Sequence, residues 1–123
     1  MWCFAPEVAW GQQSGPGTAW TAGVNFKSNS PAGEDTWAFD AVEMGNGDFV
    51  VVGYAEINNA ANRVPAYAVL DKFGTLKHSF NFASSDAGAF AQIAKTADGG
   101  CVMAGWQGTQ ALLFKLNQDY LVA

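Results

Sequence analysis

Two stretches of this chain are versions of one segment. Asn46-Gly47-Asp48-Phe49-Val50-Val51-Val52-Gly53-Tyr54 falls over Asp98-Gly99-Gly100-Cys101-Val102-Met103-Ala104-Gly105-Trp106, with both glycine pairs and the final aromatic coinciding. Ala68-Val69-Leu70-Asp71 then falls over Phe114-Lys115-Leu116-Asn117, with an intervening loop about six residues shorter in the second copy. Upstream, allowing a one-residue slip, Phe39-Asp40-Ala41-Val42 lies over Phe90-Ala91-Gln92-Ile93, and Asp35 over Asp86. A period of about fifty residues is the size of one supersecondary unit that needs neighbours to cover its faces.

Asn-Gly and Asp-Gly sit where a two-residue hairpin requires positive φ, which these residues accept at low cost. Phe49-Val50-Val51-Val52 is apolar on both faces, so its sheet is expected to be covered on two sides. One unit therefore reads as strands a (near 37–44), b (near 49–55), c (near 67–71) and d (near 76–82), and the second copy supplies a, b and c. A further piece of the unit lies upstream, where Trp20-Thr21-Ala22-Gly23-Val24-Asn25-Phe26 resembles Leu76-Lys77-His78-Ser79-Phe80-Asn81-Phe82. The strand order is then d-abcd-abc. The domain reading is an N-terminal arm over 1–16 and a repeat domain over 17–123, with copies about 35–82 and 86–120 and a strand over 17–26 that completes a blade. An α+β alternative with repeated helix-strand-strand units stays open, because Phe90, Ile93, Ala94 and Ala97 recur at helical spacing and strand a lacks clean alternation.

Thr96-Ala97-Asp98-Gly99-Gly100-Cys101-Val102-Met103-Ala104-Gly105, followed by Ala111-Leu112-Leu113-Phe114-Lys115-Leu116-Asn117, resembles bacterial β-propeller repeats that carry an Asp-Gly-Gly turn. The resemblance covers roughly residues 17–120 and implies an all-β protein of two four-stranded blades. Propellers hold about four to eight blades, so it also implies a ring completed by oligomerisation, with a trimer preferred over a dimer or tetramer.

A charged fraction of 14% and 14 glycines suit short buried strands joined by tight turns. The net charge of −5 argues against nucleic acid as a partner. Residues 1–61 hold seven acids and Lys27 alone among bases, whereas 62–123 hold four acids and five bases, a separation read first as chance in a small count and second as head-to-tail contact between copies. No apolar run approaches a membrane span. No signal peptide is visible, which leaves the compartment undetermined. Cys3 and Cys101 form no metal spacing and are expected to be free thiols.

Catalytic parts are sparse, so a hydrolase-like activity ranks low. His78 is the single histidine and has no acidic neighbour in sequence, which leaves a triad or a histidine metal site short of members. Glu34, Asp35, Asp40, Glu43 and Asp48 lack the spacing of a calcium loop and read as a solvated acidic stretch. Asp35 and Asp86 read as Asx turns leading into strand a. No cofactor or metal is expected. The aromatic residues carry the functional expectation, since a flat ring with a polar edge stacks on the apolar face of a sugar. Trp10, Trp20, Trp37, Tyr54 and Trp106 are the candidate ligand-binding residues of a non-enzymatic, lectin-like module that takes a small polar ligand or carbohydrate. The competing expectations are that these rings wedge between blades as core, filling the taper, and that the chain is a structural or protein-interaction domain.

Overall fold

A computed structural model describes residues 20–23, 35–57 and 62–122. They form seven strands in chain order: β1 (Thr36–Glu43), β2 (Phe49–Ile57), β3 (Asn62–Leu70), β4 (Leu76–Asn81), β5 (Gly88–Lys95), β6 (Cys101–Gln107) and β7 (Gln110–Leu116). Strands β1 to β4 make one antiparallel meander and β5 to β7 a second, neither of them closed. The described residues are all β and contain no helix, so the helix-strand-strand alternative is overturned. No helix among them is long and apolar enough to cross a membrane.

The helical spacing around Phe90 has a simple origin. Both β1 and β5 carry a bulge, between Ala38 and Asp40 in one and between Phe90 and Gln92 in the other, and an extra residue breaks the alternation of a strand. These bulges also correct the alignment of the copies. Ala38 pairs with Gly53 and Phe90 with Gly105, so Phe90 corresponds to Ala38 and the one-residue slip disappears. Asp35 then corresponds to Ala87, and their carbonyls accept the N–H groups of Glu56 and Gly108.

Four turns of one design close the strands at one end. In Met44–Asp48, Asp71–Thr75, Thr96–Gly100 and Asn117–Leu121, the first N–H donates to the fifth carbonyl and the fourth N–H to the first carbonyl. These are three-residue connections, not the two-residue hairpins expected from Asn-Gly and Asp-Gly. The fourth residue has positive φ and is Gly47, Gly74, Gly99 or Tyr120. Asx bonds support each turn: Asn46 Oδ1 accepts from Asp48 N, Asp98 Oδ1 from Gly100 N, Asp71 Oδ1 from Phe73 N and Thr75 N, and Asn117 Oδ1 from Asp119 N and Leu121 N. Beyond the last turn, Val122 bridges Leu116 in the way Leu76 pairs with Leu70, which begins the fourth-strand position of the second sheet.

The sheets stack in register-equivalent fashion. From the first sheet Val50, Val52, Tyr67 and Val69 meet Phe90, Ile93, Cys101, Met103 and Leu116 of the second, with β5 lying across β1 to β3. Phe82, which follows β4, wedges edge-on against Phe90 and Phe114 at centroid distances of 5.4 Å and 4.8 Å. Asp40 adds a polar link, its Oδ2 accepting Ile93 N at 3.0 Å. On its other face the first sheet presents small residues, and Ala55, Ala66, Ala68 and Leu70 are buried there. Cys101 is a buried free thiol, held above the ordinary thiol range by desolvation, while Cys3 lies outside the described residues.

Candidate binding site

The two ends of the stacked sheets differ. At the end away from the four turns, Tyr54 and Trp106 line one cleft of about 140 Å³ together with Phe39, Arg63, Ala87, Gly88 and Ala89. Tyr54 reaches it from β2 and Phe39 from the bulge of β1, their rings 5.8 Å apart and tilted by 54°. Arg63 from β3 sets its guanidinium 5.1 Å over the Tyr54 ring. The same guanidinium donates through Nε to Glu56 Oε2 at 3.1 Å, and that hydrogen bond holds the Arg63 proton more tightly than usual. Glu56 is buried and accepts from Asp35 N on its other oxygen. Three aromatic residues and a cation held by Glu56 therefore line one concave surface. Its volume is below the roughly 300 Å³ of ordinary ligand pockets, so it suits a single ring of an exposed ligand.

The other aromatic candidates are placed elsewhere. Trp37 stands opposite Tyr54 in the β1–β2 register and is exposed, outside the cleft lining. Trp20 sits at the turn end, where its Nε1 donates to the Lys72 carbonyl at 3.1 Å and its ring meets Phe49 edge-on at 5.4 Å. Residues 20–23 show no strand pairing. Trp10, and residues 17–19 and 24–26 of the expected N-terminal strand, lie outside the described residues. His78 is exposed on β4, 3.4 Å from the Tyr67 hydroxyl. No group of three or more metal-ligating side chains gathers among the described residues.

Sequence reasoning missed a second cleft, of about 360 Å³, between three of the turns. Its lining is Met44, Gly45, Asn46, Gly99, Gln118, Asp119 and Tyr120. Beside it, Asp48 is a buried carboxylate that accepts from Tyr120 Oη at 2.6 Å, Lys77 Nζ at 2.7 Å and Asn46 Nδ2 at 3.1 Å. The node ties β4 and the C-terminal turn to the β1–β2 turn. Tyr120 holds φ 63°, in the place glycine takes in the other three turns, and this backbone conformation accompanies its reach to Asp48. Burial and the bond to Asp48 push the Tyr120 phenol up to about 12. The Lys77 and Tyr120 donors, Lys77 first, hold the Asp48 carboxyl below its ordinary 3.8.

A depressed folded-state value makes the Asp48 contribution complete above the unfolded value and progressively lost as pH falls through the folded one. The wild-type protein should therefore lose stability below about pH 4, and Asp48→Asn should show a shallower loss over the same range. Urea midpoints measured at stepped pH check this, and parallel curves for the two proteins would exclude Asp48 as the titrating group.

No known family model, curated protein or solved structure matches the chain.

Proposed function

We propose that the chain is a non-enzymatic binding module whose aromatic cleft takes one flat, hydroxyl-bearing ring, such as a terminal sugar. One observation carries this reading: Tyr54 and Trp106, at equivalent positions of the two copies, line a single cleft with Phe39 and the ring-stacked Arg63. The rings supply apolar faces for the C–H side of a sugar, and the Arg63–Glu56 pair supplies a charged rim for its hydroxyl groups. Such single-ring contacts are weak, and carbohydrate binding of this kind gains strength when several clefts act together.

A glycan array probed with the intact chain, followed by calorimetric titration of the best ligand, tests the reading. Tyr54→Ala and Trp106→Ala should each weaken binding by about tenfold, the loss of roughly 1.4 kcal/mol, with little change in melting temperature because both side chains are partly exposed. An array without signals, or affinities untouched by both substitutions, would remove the sugar reading. The interaction-domain reading has its own support in the outer face of the second sheet, where Leu113 is 73% exposed.

A further inference from the structure

Acids outnumber bases by 11 to 6 in the chain, yet the lining of the aromatic cleft holds one charged side chain, Arg63, and no carboxylate. Its polar groups are chiefly donors, because a guanidinium and an indole N–H can donate hydrogen bonds but not accept them. Arg63 engages Glu56 through Nε, and its two Nη groups meet no acceptor among the described residues. The Trp106 indole N–H has no acceptor among them either, and its ring, 47% exposed, packs on no other aromatic ring there. Glu56 is closed to a ligand: it is buried, with Oε1 accepting Asp35 N and Oε2 accepting Arg63 Nε. It therefore holds the guanidinium from one side and leaves the Nη fork as the unbonded end of a side chain that is 61% exposed.

We propose that the ring taken by this cleft carries a carboxylate, the ligand being an acidic sugar of the uronic-acid type that sets its carboxylate on the Arg63 fork and its ring on Trp106; this rests on the sugar-binding function proposed for the cleft and narrows it. A planar guanidinium matches the two oxygens of a carboxylate with parallel charge-assisted hydrogen bonds, whereas a hydroxyl takes one donor at a time. The stack over Tyr54 and the bond to Glu56 already hold that planar group, so little side-chain freedom is lost when a ligand arrives. The Glu56 charge on the Nε side offsets part of the attraction. Its repulsion acts at longer range across a rim open to water, where it is screened, while the fork contact is direct. Trp106 and Phe39 supply the apolar surface that a ring needs and a bare carboxylate does not.

Calorimetric titration of the full chain with the methyl glycosides of glucuronic, galacturonic and mannuronic acid, each beside its neutral parent hexoside, tests the proposal. At least one acid should bind about tenfold more tightly than its parent, and the ratio should shrink as salt is raised. Arg63→Gln should bring the ratio close to one, with circular dichroism checking the fold. Arg63→Lys keeps a cation beside Glu56 without the fork and should also lower the ratio, which covers a loss of folding in the first variant. N-acetylglutamate, a carboxylate without a sugar ring, should bind at least about tenfold more weakly than the best acid. Parents bound as tightly as acids in every pair would overturn the acidic ligand and leave sugar binding standing, whereas no binding by any member would bring down both. Equal binding of N-acetylglutamate, or a preference that survives both Arg63 substitutions, also overturns the proposal.

Discussion

Gly53→Ala is expected to destabilise the protein by about 3 kcal/mol, an unusual loss for one methyl group. The cause is backbone against backbone. A Cβ at Gly53 would lie 1.7 Å from the Trp37 carbonyl oxygen and 2.8 Å from its carbon, so side-chain adjustment cannot relieve the overlap. The β1 bulge turns that carbonyl toward β2, and the strand opposite can close only where no side chain stands. Gly105 meets the same demand in the second sheet, with the Ala89 oxygen 1.9 Å from its would-be Cβ. Gly105→Ala should therefore cost a similar amount. Gly45→Ala is the control, since nothing lies within 4 Å of its Cβ position and its φ is not positive, and it should stay near wild type. Urea unfolding followed by tryptophan fluorescence measures all three. Wild-type midpoints in Gly53→Ala and Gly105→Ala would exclude backbone crowding as the reason for glycine at these two positions.

The second large effect belongs to Phe90. Its side chain is fully buried between the sheets, edge-on to Phe82 at 5.4 Å and 6.3 Å from Phe114, and no exposed position could collapse into the space it leaves. Phe90→Ala should cost about 3–5 kcal/mol, the transfer free energy of the ring together with the cavity left behind. Phe73→Ala removes the same atoms from a site in the β3–β4 turn that is 72% exposed, and should stay within about 0.5 kcal/mol of wild type. Equal losses in the two variants would show that the sheets do not meet through Phe90.

The central strands of both sheets were legible because their reasons are local. Glycine with positive φ, an Asx residue before it and a run of apolar side chains on both faces announce β2 and β6 without reference to the rest of the chain. Strands β1 and β5 were less legible because the bulges at Phe39 and Ala91 interrupt the period of two, which left room for a helical reading. That Tyr54 and Trp106 line one cleft was foreshadowed only by their equivalence in the repeat. Phe39, Arg63 and Glu56 join them through pairing between strands, which no spacing rule exposes. The Asp48 node was hidden for the same reason, since Tyr120 reaches it across 72 positions of sequence and takes a turn site where glycine is the usual sign.

Eight residues separate the paired Ala55 and Val64 of the first sheet and two separate their equivalents Gln107 and Gln110, yet the four turns at the opposite end share one length and one hydrogen-bond scheme. Length can thus change at one pole without any shift in the packed layers beneath it. That pole also carries the aromatic cleft, so its rim can lengthen or shorten by insertion while the framework beneath it stays as it is.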